Sequence, residues 1–233
     1  MFNEAYNHQL SMFDVVHLLT LLSLGFIFLV IYLSRQHLSK PKHDKIFRLT
    51  LGLILLIFEF GFHLWTFTNG GYSYHMIPLT GFCAMTNVLT IYALLCNKTK
   101  LFNYLIYYAI TGALFALIFV DTSYGIPHFR YFHYFIVHYG FLLASLYYFI
   151  TKRVEIKRKH FLKASLMLFI YTLLVLMADL LLKENWFYLF ESPVKEISDF
   201  FGYPLYTILW LLAIFILISL WYGVLKLMSK FQR

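Results

Sequence analysis

Charge is what this sequence has least of. Only 13% of its 233 residues are Asp, Glu, Lys or Arg, too few for a water-facing surface of ordinary charge density, so a soluble domain is excluded. Cysteine is nearly as scarce: Cys83 and Cys96 are the only two, which excludes a disulfide scaffold and a cysteine-rich zinc site and leaves at most one bridge. A Gly-x-Ser-x-Gly elbow, a phosphate-binding glycine loop, a His-Glu-x-x-His metal signature and any nucleic-acid motif are missing. Internal repeats, low-complexity tracts and lipidation signals are missing too. No cofactor, metal or nucleic-acid partner is expected.

What is present is apolar. Hydrophobic residues make up 61% of the chain and the mean hydropathy is +0.71. A bilayer crossing takes about 20 such residues, so several crossings consume most of the length and leave short loops rather than a separate extramembrane domain. Apolar runs bounded by charge predict seven spans, at 12–33, 46–67, 77–95, 101–120, 131–150, 161–182 and 203–225, within a single integral membrane domain over 1–233. Lipid cannot satisfy exposed backbone polar groups, so each span should be a helix and the fold all-α. The third span is the weakest, because it opens on Pro78 and Gly81 and carries Thr80, Thr86 and Asn87. The first run lacks a basic lead and a small-residue cleavage motif, and reads as a mature helix.

The chain holds 19 Lys and Arg against 11 Asp and Glu. In a membrane protein such an excess marks cytoplasmic loops facing anionic lipid. Sixteen of the basic residues fall in 34–48, 97–100, 152–163 and the C-terminal tail, and three (Arg130, Lys183 and Lys195) fall on the other side. That asymmetry predicts the N-terminus outside and the C-terminus in the cytoplasm.

Ionisable residues inside spans are costly, so each is a site candidate. With the predicted topology, Asp14, His17, Glu59, His63, Cys83, His133, His138 and Asp179 all fall in the outer halves of their helices, and the inner halves hold no Asp, Glu or His. This segregation predicts a polar pocket opening toward the outer leaflet. Asp14 and His17 are i,i+3, and Glu59 and His63 are i,i+4, so each pair shares a helix face. Cys83 lies about six residues into its span and His138 about seven, a matched depth that allows contact across a bundle. A thiol beside an imidazole can act as an acyl nucleophile, with the imidazole taking and returning the proton. Thr80, Thr86 or Asn87 could steady an oxyanion. Cys96, thirteen residues on, reads as structural. His8, His37, His43, His75, His128 and His160 read as interfacial. Against the catalytic reading, a buried cysteine is usually an inert small hydrophobe, and Glu59 and His63 could instead bind a metal with Asp179 or His138. The aromatic stretch 183–202 suits either a lid at headgroup level or an interfacial belt.

These residues resemble the YwaF-like integral membrane proteins, related to the animal transmembrane protein 164 acyltransferase. The resemblance runs over nearly the whole chain. It rests on the Pro78-Leu79 lead-in to Cys83, on 132–147 with His138 in the middle, on Asn185-Trp186-Phe187-Tyr188-Leu189 to Pro193, and on the closing Asp199-Phe200-Phe201-Gly202-Tyr203-Pro204-Leu205-Tyr206. The interval from Pro78 to Cys83 is one residue longer than the family pattern, and the Gly202-Tyr203-Pro204 ending is one shorter. The resemblance implies a seven-helix protein, in a bacterial plasma membrane, that transfers acyl chains between phospholipids or lysophospholipids. Cys83 would carry the acyl group and His138 would be its base. Glu59, His63, His133, Asp179, Asp14, His17 and Asn87 are the candidates for orienting the imidazole or binding substrate. Two other classes stay open: a small carrier or lipid-binding protein without catalysis, and a hydrolase with water as acceptor.

Overall fold

The computed structural model describes residues 10–69, 71, 81–120, 122, 124–192 and 194–231. Among them the secondary structure is entirely helical: α1 (Val15–Leu33), α2 (Arg35–Leu38), α3 (Pro41–Thr68), α4 (Phe82–Leu95), a 3-10 turn at Thr99–Leu101, α5 (Phe102–Ile118), α6 (Phe129–Ile150), α7 (Arg158–Leu182), α8 (Lys195–Phe201) and α9 (Leu205–Phe231). Local chemistry sets several boundaries. Pro41 opens α3 at a position where its missing N–H costs nothing. His128 caps α6 by accepting from the Arg130 N–H at 3.1 Å. Lys183 ends α7 in the left-handed region with φ 56°.

Six helices, counting α5 with the 3-10 turn before it, are long and apolar enough to cross a membrane. They correspond to the predicted runs other than the third. In place of a span over 77–95, the helix begins at Phe82, because Gly81 is extended (φ −86°, ψ 150°) and serves as its N-cap. α4 therefore has 14 residues, about 21 Å of rise against a hydrocarbon core of about 30 Å. Its far end is finished by another helix: the buried Arg48 of α3 donates from Nη1 to the carbonyls of Leu94 and Leu95, oxygens that no helix can satisfy internally at its C-terminus.

α5 and α6 pack on each other and form the centre, with α3 and α4 against α6, α4 also against α5, α7 and α9 against α5, and α1 on α6. The buried volume is filled by large rings such as Tyr107, Phe141, Tyr147 and Tyr148. Glycine permits two of the closest approaches. A Cβ on Gly140 of α6 would lie 2.3 Å from Leu55 Cδ2 of α3, and one on Gly112 of α5 would lie 2.9 Å from the Phe82 ring and 3.2 Å from Cys83 Sγ. Outside this centre, α1, α7 and α9 present exposed Leu, Ile, Val and Phe along most of their length, the exterior of a protein whose solvent is lipid.

Candidate functional site

Glu59 gathers a polar cluster from three helices. Its Oε2 accepts from Asn87 Nδ2 of α4 at 2.8 Å, and its Oε1 lies 3.3 Å from His63 Nε2, one turn along α3. His133 of α6 brings Nε2 to 4.0 Å from Glu59 Oε2, too far for a direct bond and close enough for one bridging water. Arg130, one turn before His133, donates from Nη1 to His133 Nδ1 at 2.9 Å. That contact makes Nδ1 the acceptor, so in the neutral imidazole the proton sits on Nε2, facing Glu59. The Arg130 guanidinium also lies 4.2 Å from the centroid of Phe62, whose ring stacks on His133 at 4.6 Å. One carboxylate and one guanidinium thus share a partly buried site through a histidine, an arrangement that offsets the cost of their partial desolvation.

Arg130 is the member that sequence reasoning missed. Its i,i+3 spacing to His133 was the available signal.

Cys83 stands in the first turn of α4, one turn from Asn87. Its sulfur packs on Gly112. The first-turn N–H groups of Phe82, Cys83 and Ala84 precede the helical ladder, whose first bond here is Met85 N–H to Gly81 at 2.8 Å. A helix N-terminus of this kind favours negative charge nearby. Thr86 is turned away from this role, since its hydroxyl donates to the Phe82 carbonyl at 2.8 Å.

His138 lies on α6 at the side of the Glu59 cluster. Its Nδ1–H donates to the Tyr134 carbonyl at 2.6 Å, which leaves the Nε2 lone pair to act as base. Among the described residues no hydrogen bond joins Cys83 to His138, although α4 and α6 are neighbours.

The remaining candidates are placed elsewhere. Asp14 caps α1, accepting from the His17 N–H at 2.7 Å rather than from its ring. The fully buried His17 ring accepts from the Phe13 N–H at 2.9 Å and bonds the Leu117 carbonyl of α5 at 2.8 Å, so this pair pins the start of α1 to the bundle. Asp179, fully buried near the end of α7, accepts from the Trp186 N–H at 3.1 Å. Cys96 is exposed and caps α4. His8, His75, Pro78, Thr80 and Pro193 lie outside the described residues.

The aromatic stretch after α7 is tied down along its length. Three successive carbonyls, of Phe187, Tyr188 and Leu189, accept from Trp210 Nε1 at 2.9 Å, Tyr206 Oη at 2.9 Å and Thr207 Oγ1 at 2.5 Å, all on α9. Phe187 is buried edge-on against Phe82, and the Trp186 carbonyl lies 3.7 Å from where a Gly81 Cβ would be. The loop therefore sits directly over the turn that carries Cys83.

No curated protein sequence and no solved structure matches the chain. A family model does: the match to the TMEM164 family takes in residues 8–223, from before α1 to within the last turns of α9 and so all of these side chains, and the chain belongs to that family.

Proposed function

We propose that this protein is a membrane phospholipid or lysophospholipid acyltransferase working through an acyl-cysteine. The observation that carries the reading is the position of Cys83: a thiol in the first turn of a helix, on a glycine, in the turn whose N–H groups precede the helical ladder. Family membership and an apolar exterior supply the lipid context.

In the first half-reaction the Cys83 sulfur attacks the ester carbonyl of a donor phospholipid while the thiol proton passes to His138 Nε2. The α4 N–H groups take the oxyanion, the carbonyl carbon–oxygen bond breaks, and His138 returns the proton to the departing lysophospholipid alkoxide. In the second half-reaction His138 takes the proton of an acceptor hydroxyl, that oxygen attacks the thioester, and Cys83 leaves as thiolate and is reprotonated. The thiol and the imidazole meet on the lipid oxygen, or through one water, rather than on each other. Glu59, itself held by Asn87, would steady the imidazolium as it forms.

In this reading α4 is the seventh crossing of the bundle, shorter than the rest. The one-sided basic loops support an outer-side N-terminus and Cys83, and the membrane in this reading is a bacterial plasma membrane.

The test is thioester trapping with an alkyne-tagged acyl phospholipid. Wild type and Cys96→Ala should carry a hydroxylamine-labile label, and Cys83→Ala should lose it by about 10³-fold or more, the scale of removing a covalent nucleophile. Equal labelling of Cys83→Ala overturns the mechanism. A second reading, lipid or solute binding without catalysis, is favoured by the Glu59 cluster, which holds no nucleophile. It requires that binding survive Cys83→Ala and fail in Glu59→Ala.

A further inference from the structure

At the outer end of α7 a groove of about 830 Å³ is bounded by Asp179, Lys183, Glu184, Trp186, Glu191 and Tyr203. Two buried polar atoms at it have no hydrogen-bond partner among the described residues: Asp179 Oδ2, an acceptor, and Trp186 Nε1, a donor. The wall is thus three carboxylates, one ammonium, one free indole N–H and aromatic rings. Such a set offers a carboxylate and ring faces to a cation and, beside them, donors to an anion.

A second hollow begins one turn below. α7 and α9 both pack on α5 but touch each other little, and between them runs a furrow of about 520 Å³ lined by Phe169, Thr172 and Leu176 of α7 and Ile208, Leu211 and Phe215 of α9. Asp179 is seven residues from Thr172, close to two full turns, so the unpartnered carboxylate stands above the furrow on the same side of the helix. A polar pocket of both charge signs sits on an apolar slot of helical length.

From this juxtaposition we infer that the cleft between α7 and α9 is a seat for one zwitterionic phospholipid, with its ammonium at Asp179, its phosphate at Trp186 Nε1 and Lys183, and one acyl chain in the furrow. An anionic headgroup has no ammonium to offer Asp179, and Glu191 is already paired with Lys195 at 3.7 Å. The seat adjoins the turn that carries Cys83, with the Trp186 carbonyl 3.7 Å from where a Gly81 Cβ would be, and lipid retention rather than thioester formation reads it.

Native mass spectrometry of the full chain, purified and offered equimolar dioleoyl phosphatidylethanolamine and dioleoyl phosphatidylglycerol, reads the seat directly. The expected result is one retained phosphatidylethanolamine, preferred about tenfold. Asp179→Asn keeps the acceptor for the Trp186 N–H and should bring the preference to near parity, and Leu176→Trp should lower retention of both lipids by fillng the slot. Cys83→Ala should retain the lipid as wild type does, which keeps failure of this seat distinct from failure of the acyl-transfer mechanism. Equal retention of the two lipids by wild type, or unchanged retention in both Asp179→Asn and Leu176→Trp, overturns the proposal.

Discussion

α6 and α9 show opposite uses of hydrophobicity. α6 has the lowest mean hydropathy of the six spanning helices and is the most deeply buried, while α9 has the highest and is among the least buried. In water the order would be reversed. Here the strongly apolar helices α1, α7 and α9 are the wall against lipid, and the helices that carry Tyr, His, Asn and Gly are drawn inward, where their polar atoms find partners and their small residues allow close approach. At these extremes hydropathy tracks exposure, whereas α3 and α5 share one hydropathy and differ widely in burial.

The contrast can be broken most forcefully with paired truncations. Leu55, fully buried on α3 against Gly140, should cost about 2–5 kcal/mol when changed to Ala, whereas Leu173, exposed on α7, should cost less than about 1 kcal/mol. Thermal unfolding in detergent or nanodiscs measures both, and equal losses would mean that the outer helices are packed against something other than lipid. A smaller effect sharpens the same contrast. Gly140→Ala forces a Cβ into Leu55 and should destabilise by about 1–3 kcal/mol, while Gly25→Ala meets nothing within 4 Å and should be neutral or stabilising by up to about 1 kcal/mol. The smallest effect lies outside the bundle. Lys157, 2.9 Å from Glu155, holds the Glu155 carboxyl below its usual range. A lowered carboxyl contributes stability above its unfolded pKa and loses it as pH falls through the folded one. Both side chains are exposed, so Glu155→Gln should leave melting at pH 7 within error and remove only a slight, salt-sensitive dependence near pH 4.

Helix positions were legible in the sequence because lipid imposes one rule on every span: a long apolar run must be helical. The exception is instructive. The run 77–95 is apolar enough to read as a full span, yet α4 starts at Phe82 because the backbone of Gly81 is extended, and no hydropathy count registers one residue's dihedral angles. Within the site, i,i+4 spacing placed Glu59 and His63 on one face, since that relation is local to a helix. Partners on different helices were beyond reach. That Asn87 serves Glu59, that Arg130 serves His133, and that the Asp14 carboxylate caps the His17 N–H instead of pairing with its ring are decided by how helices pack and by single rotamers. The outer aromatic stretch was readable as either lid or belt from its composition, and three α9 hydrogen bonds that no spacing rule links to it fix its position.

Those three bonds bear on traffic. A hydrogen bond of this kind contributes about 0.5–1.5 kcal/mol net, so releasing all three from α9 costs roughly 1.5–4.5 kcal/mol. Before any loss of Phe187 packing is counted, the lifted state would be occupied between about a tenth and a two-thousandth of the time. The loop is a roof closed most of the time, and under the proposed function a lipid would reach Cys83 sideways, between helices, from the leaflet itself.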